Sequence, residues 1–273
     1  MTDAPRYGLV DRDLAMRFAA TAPEDDGPIW MVNLIKYRER ADYGDGADAG
    51  VSGAEADARY AERIPLEEIG AQVVFWGDVD AQLLGAEPRW DRVGVVRYPS
   101  RRAFLAMQQR DDFREAHQHK KAALESTIVI AGVPIESPPL PDDAPAWDAV
   151  PHPPTDDDPD VMVLHVLKYK DDERRQEMAS YTDHAALVAV PHGVRVAAWF
   201  EAEGTIVGDG RQWHQARFNA FPSKEAFMAV VFDPARLEAQ KDHREVAIED
   251  TYTLIVRPTI NRLAESLRGS IAD

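Results

Sequence analysis

The chain has 273 residues, 45% of them hydrophobic, enough for one large or two ordinary cores. It has no cysteine, which excludes disulfides and thiol chemistry, and its formal net charge of -17 argues against nucleic acid and anionic membranes, whose partners need clustered Lys and Arg. Met1 to Asp13 lacks the apolar run of a signal peptide and no stretch has the length of a membrane span, so a cytoplasmic protein is expected.

In chain order, the apolar and β-branched run Ile29 to Tyr37 predicts a buried strand. The insertion Gly44 to Gly50 resembles a calcium loop but lacks its ligand spacing and closing Glu, so a flexible lid is expected there instead. Ser52 and Glu55 form a capping-box pattern that opens a helix predicted to end at Gly70. A strand containing Trp76 follows, then one from Trp90 to Tyr98. The turn Tyr98-Pro99-Ser100 stops that strand and caps a broken helical region over Arg101 to Glu125, because Pro disfavours helix in the residue before it and Ser caps the helix after it. Thr127 to Val133 closes the unit as a strand. Glu136 to Asp160 carries eight prolines and seven aspartates, so it reads as a semi-extended linker with Trp147 pinning it to the surface.

The same order then returns. Val161 to Tyr169 is a strand and Glu173 to Val190 a helix ended by Gly193. Strands around Trp199 and from Trp213 to Phe221 lead to a second aromatic-Pro-Ser turn at Ser223, a helical region over Lys224 to Glu249, and a strand over Thr251 to Arg257. Trp76 and Trp199, Gly85 and Gly208, Trp90 and Trp213, and Ser100 and Ser223 are each 123 positions apart; the first strands are 132 apart and the blocks beginning at His119 and His243 are 124 apart. Collinear blocks whose offsets drift only between them indicate a tandem duplication. The predicted fold class is α+β: two ferredoxin-like βαββαβ modules fused in one chain, 1–135 with an N-terminal helical extension and 161–273 with a C-terminal tail, joined by the linker 136–160. A sheet with helices on one face leaves the other bare, so the two sheets are expected to pack face to face as a pseudo-dimeric barrel.

The segments Asp25 to Tyr43, Ala58 to Ile64, Trp90 to Met107 and His119 to Thr127 resemble bacterial domain-of-unknown-function proteins of the dimeric α+β barrel superfamily. The resemblance covers Asp25 to Val133 well and Val161 to Arg257 more weakly. It implies the fold, and a family usually built as single modules that dimerise. The wider superfamily holds cofactor-free monooxygenases, lactone isomerases and haem enzymes, which bear on this chain by analogy of fold alone.

Candidate site residues are polar positions on strands that should be apolar. Period two places Met31, Asn33, Ile35 and Tyr37 on one face of the first strand, and Val163, His165, Leu167 and Tyr169 at the matching places in the second half. Gly94, Val96 and Tyr98 correspond to Arg217, Asn219 and Phe221, so the second half has Arg and Asn where the first has Gly and Val. His119 and His243 flank apolar helical stripes and are candidates for proton transfer, against the plainer alternative that each bonds a backbone carbonyl; a haem ligand is a third reading, which nothing local supports. His184, His192 and His214 occur only in the second half; none gives an i, i+4 metal pair, so no metal site is expected. The four paired tryptophans are assigned to packing. No motif points to a cofactor, and none is expected.

These residues predict a pocket in the second half lined by His165, Arg217 and Asn219, with His243 at its edge. His165 and His243 are the catalytic candidates, and Arg217, Asn219, Asn33, His119 and Tyr169 the substrate-binding ones. The partner is a small organic molecule, anionic or aromatic, and the function that of a cofactor-free oxygenase, isomerase or lyase. A non-catalytic binder and a structural scaffold are the alternatives, and the chain is either a monomer as a pseudo-dimer or a homodimer.

Overall fold

The computed structural model describes residues 7–44 and 50–268. Apart from its end glycines, the insertion expected as a lid lies outside them. After β1 (Leu9–Val10) and α1 (Arg12–Ala20), the chain runs β2 (Ile29–Tyr37), α2 (Gly53–Ala61), β3 (Gln72–Leu84), β4 (Arg92–Tyr98), α3 (Arg101–Gln109), α4 (Asp111–Ala123) and β5 (Leu124–Pro134). Beyond the linker come β6 (Val161–Tyr169), α5 (Arg175–Ala189), β7 (Arg195–Gly208), β8 (Gln215–Phe221), α6 (Lys224–Val231) and α7 (Pro234–Ala239). A π-helical turn at Gln240–Arg244, α8 (Glu245–Ala247), β9 (Ile248–Asn261) and α9 (Leu263–Leu267) complete the described chain.

All strand pairs are antiparallel. The first half has the lateral order β5-β2-β4-β3 and the second β9-β6-β8-β7. The sheets also join at both edges: β3 pairs with β9 and β5 with β7, so eight strands close into a barrel, with β1 added outside on β7. Face-to-face packing alone does not describe this. The long strands β3, β7 and β9 outrun their partners within each half, and their spare N–H and C=O groups pair across the seams instead of meeting water.

Alternation along each strand separates two environments. Trp30, Val32 and Leu34 of β2 and Met162, Leu164 and Val166 of β6 point inward, where they pack with Phe75, Phe200, Phe218 and Tyr252. Aromatic contacts bridge the halves: the Trp30 and Phe200 ring centres are 5.8 Å apart, and those of Phe75 and Phe218 5.3 Å. The intervening residues point outward under the helices. Met31 joins a core beneath α1 and α3, and Val163 one beneath α5 and α6.

Ser100 Oγ accepts from the Ala103 N–H at 3.0 Å, and Ser223 Oγ from the Ala226 N–H at 3.0 Å. A carboxylate assists each cap: Asp26 accepts from the N–H groups of Arg101 and Arg102, and Asp158 from those of Lys224 and Glu225. The Ser52–Glu55 capping box forms as expected, but α2 stops at Ala61 and not at Gly70. Pro65 supplies no N–H to continue the helix, and a 3-10 turn at Glu67–Ile69 finishes the segment, with Gly70 at φ +68°. The linker is held down as predicted, with Trp147 Nε1 donating to the Gly193 carbonyl at 2.7 Å. Ser100→Ala should destabilise the protein by about 1 kcal/mol through loss of a cap. Ser223→Ala should cost more, because the Ser223 hydroxyl also donates to the His152 carbonyl at 2.9 Å. Urea unfolding of the two variants checks the order; equal losses would contradict it.

Candidate active site

Large apolar side chains pack the barrel interior. Two cavities occur between the outer sheet surface and the helices. The first, of about 430 Å³, is lined by residues that include Asn33, Asp57, Tyr60, Trp76, His117 and Lys120. The second, of about 470 Å³, is lined by residues that include His165, Thr182, Trp199, Arg217, Asn219 and Arg244, and Ser137 to Pro141 of the linker form part of its wall.

In the second cavity, cross-strand register brings the polar set together: His165 on β6 stands opposite Arg217 on β8, and Val163 opposite Asn219. Arg217 is 8% exposed. Its Nε donates to Gln215 Oε1 at 2.8 Å, Nη1 to Thr182 Oγ1 at 3.1 Å, and Nη2 lies 3.4 Å from the Tyr169 hydroxyl. Its guanidinium carbon stands 4.2 Å from the centre of the Trp199 ring. Trp199 Nε1 in turn donates to Asn219 Oδ1 at 3.0 Å.

Three further arginines line the same space, of which Arg195 is held at its wall by the Val194 and Pro145 carbonyls. Arg244, 6% exposed, donates to Thr251 Oγ1 at 3.1 Å. Arg236 donates to the Tyr181 hydroxyl at 3.2 Å and to the Val231 carbonyl at 3.0 Å. Every one of these protein partners is neutral. Burial lowers the proton affinity of Arg217 and of Arg244, though a guanidinium stays charged.

His165 completes the set. Its Nδ1 lies 3.1 Å from Thr253 Oγ1, which leaves Nε2 for the cavity. Burial, and then the charges of Arg244, Arg217 and Arg236, push its pKa down to about 3, so the imidazole is neutral near pH 7.

The remaining candidates separate. Asn33 lines the first cavity, where its Nδ2 donates to the Met31 carbonyl at 2.8 Å. Tyr169 stands behind Arg217, its hydroxyl donating to Gln215 Oε1 at 2.7 Å. His119 is engaged by Tyr43 at 2.7 Å and by Arg63, away from the cavity lining. His243 lies outside the second cavity: its Nδ1 is 2.7 Å from Glu177 Oε2, and it stacks on His184 at 5.3 Å between ring centres. Here the π turn is the physical reason. The Glu245 N–H reaches back to the Gln240 carbonyl, five residues away, which shifts the phase of the helix so that Arg244 turns inward and His243 outward. Period 3.6 could not show this. His117, four residues after Phe113 on the stripe that faces the sheet, is the first-half histidine that reaches a cavity.

The asymmetry at Gly94 has a steric origin. A Cβ there would lie 2.4 Å from Trp76 Cζ3, so this ring occupies the space above the strand. In the second half Trp199 leaves that space to the Arg217 side chain. Trp76 and Trp199, read from sequence as packing residues, therefore also wall the two cavities.

No family model and no curated protein matches the chain. Two solved structures of a protein of unknown function from Rhodopseudomonas palustris, one of them methylated, are 36% and 34% identical; they cover 47% and 46% of this chain and 96% and 95% of that one, with TM-scores of 0.43 and 0.42. The chain belongs to the family of that protein. An anthrone oxidase-like protein is 12% identical over 88% of this chain and 97% of its own, with a TM-score of 0.52. A chlorite dismutase variant from Candidatus Nitrospira defluvii is 14% identical over 96% and 99%, with a TM-score of 0.48. With the closed ring of eight strands, the anthrone oxidase-like match shows a dimeric α+β barrel fold. Among the described residues no group of three or more metal-ligating side chains is assembled, and no helix is long and apolar enough to cross a membrane.

The depressed pKa of His165 has a sign that can be checked. The unfolded chain takes up this proton near pH 6.5 and the native chain only near pH 3, so His165 favours the native state fully above about 6.5 and less as pH falls towards 3. His117, lowered to about 3 chiefly by burial, acts in the same window. The unfolding midpoint of His165→Gln should therefore fall less than that of the parent between pH 6.5 and 4. Identical slopes would show that His165 takes up its proton at the same pH in the folded and the unfolded chain.

Proposed function

We propose that the protein is a small-molecule enzyme of the dimeric α+β barrel type, acting on a small organic anion in the second cavity. One observation carries this. The chain has 48 acidic residues, yet Arg217, Arg236 and Arg244 line one cavity and, among the described residues, none of them pairs with a carboxylate. Buried charge without a counter-charge is costly, and a bound anion supplies what the protein does not. Apolar walls that include Trp199, Phe221 and Phe227 suit an aromatic or aliphatic body carrying that anionic group.

In this reading His165 has a role dependent on the ligand. Burial, and after it three guanidiniums, keep its imidazole a weak base while the site is empty. An anion among them cancels most of that field, so the affinity of Nε2 for a proton rises when substrate arrives. The chemistry that suits this is removal of a proton close to the anionic group, the shared first step of isomerisation, elimination and cofactor-free oxygenation. Arg217 binds and orients, Tyr169 and Gln215 position Arg217, and Thr253 fixes the His165 ring. No cofactor is assigned.

The same proposal includes the organisation of the chain: two ferredoxin-like modules, 1–135 and 161–273, made by tandem duplication and joined by 136–160. Identical lateral strand orders in the two halves support it, as does a family member that matches 47% of this chain over nearly all of its own length. A non-catalytic carrier of the same anion is the second reading, favoured by the weak basicity of His165 in the empty site.

Calorimetric titration with a panel of aromatic and aliphatic carboxylates tests the site. Arg217→Met should weaken binding by roughly tenfold to a hundredfold, the worth of a charge-assisted hydrogen bond. His165→Asn should keep binding. Incubation of wild type and His165→Asn with a small-molecule extract, read by mass spectrometry, then separates the two readings: consumption of a carboxylate by wild type alone supports the enzyme, and binding without consumption the carrier. Binding unaffected by Arg217→Met would overturn both.

A further inference from the structure

The first cavity holds a group that the proposed reaction does not use. α4 presents Phe113, His117 and Lys120 on one face, towards Asp57 and Tyr60 of α2. Lys120 Nζ lies 5.1 Å from the centre of the Tyr60 ring, which also contacts Phe113 and His117 at 6.4 and 6.3 Å between ring centres. Among the described residues, Lys120 makes no hydrogen bond or ion pair. Lys36, Lys168 and Lys224 are paired with Asp91, Glu249 and Asp80, and Lys170 donates to the Glu245 carbonyl, whereas the other lysines without such a partner among the described residues, Lys121 at the same cavity and Lys241, are exposed.

The surroundings weaken the hold of Lys120 on its proton. Burial lowers the proton affinity of Lys120, and Asp57 only partly restores it. The carboxylate of Asp57 already accepts a hydrogen bond from the Tyr37 hydroxyl at 2.7 Å. His117 is neutral; its Nε2 meets the Tyr7 hydroxyl at 2.9 Å, and its buried Nδ1 has no protein partner. A half-buried amine without a hydrogen-bond or ion-pair partner among the described residues, set beside apolar and aromatic walls, is a setting that suits a nucleophilic lysine.

We propose that the first cavity is a second ligand site, in which Lys120 captures a small uncharged aldehyde or ketone as an imine. The lone pair of the neutral Nζ adds to the carbonyl carbon while the C=O π electrons move to oxygen. A proton passes from nitrogen to that oxygen, and the carbinolamine loses one molecule of water to give C=N, with no net oxidation or reduction. Met31, Trp76, Tyr98, Phe104 and Met107 supply an apolar wall that suits an uncharged body. The two cavities thus select opposite chemistries, an anion in one and a neutral carbonyl compound in the other.

Benzaldehyde with sodium cyanoborohydride at pH 7 tests this on the full chain, the reduced adducts being located by peptide mass spectrometry over time. Lys120 should be alkylated roughly tenfold or more faster than exposed Lys121 and Lys241. Lys120→Arg should remove the fast adduct, and Arg217→Met in the other cavity should leave it. Glyoxylate, a charged aldehyde, should show no preference for Lys120. Labelling of Lys120 at the same rate as Lys121, or a fast adduct that persists in Lys120→Arg, would overturn the proposal, as would selective labelling by glyoxylate. If Lys120→Arg does not fold, the relative rates of Lys120 and Lys121 in the parent chain decide alone.

Discussion

A four-stranded antiparallel sheet covered by helices on one side must bury its other side, and each half of this chain leaves such a face open. The halves satisfy one another. Their inward side chains form one core, and the edge strands β3, β5, β7 and β9 hydrogen-bond across two seams, so that none of the eight strands keeps an open edge. This closure fixes where chemistry can occur. The interior is filled by residues that include Trp30, Phe75, Phe200 and Phe218, and the two cavities described lie on the outer surface, beneath the helices.

On that outer surface the halves share a scaffold and differ in contents. At the first strand, Asn33 answers to His165. At the third, Gly94 lies under the Trp76 ring, whereas Arg217 stacks on Trp199. The side chain that Gly94 lacks is the one that introduces a buried guanidinium, and Arg236 and Arg244 add two more from the helical cover. One cavity thus gathers positive charge in a strongly acidic chain. The other sets Lys120 beside aromatic rings, with Lys121 and Arg114 also in its lining.

Much of the fold was legible because its signals are local or periodic. The Pro-Ser turns, the capping box at Ser52 and the alternation along β2 and β6 each correspond to a structural feature. Of the site, His165, Arg217 and Asn219 could be read from strand register alone, since residues matched on neighbouring strands share a face. The rest depended on geometry that periodicity does not carry. One π turn exchanged His243 for Arg244. Pairing His119 with His243 by offset drew attention from His117, whose spacing from Phe113 was the better signal. Pro65 shortened α2, and the seams depended on how far β3, β7 and β9 outrun their neighbours. Asp26 and Asp158, 132 positions apart like the strands they precede, were a legible pair that the repeat offsets did not bring out.

A crystal structure of the protein soaked with benzoate tests most directly whether the second cavity is an anion site. The result predicted is a carboxylate within hydrogen-bond distance of Arg217 and of Arg236 or Arg244, its ring against Trp199, with His165 Nε2 facing the ligand. A cavity closed by its own side chains, with the three guanidiniums turned onto protein carboxylates, would contradict it.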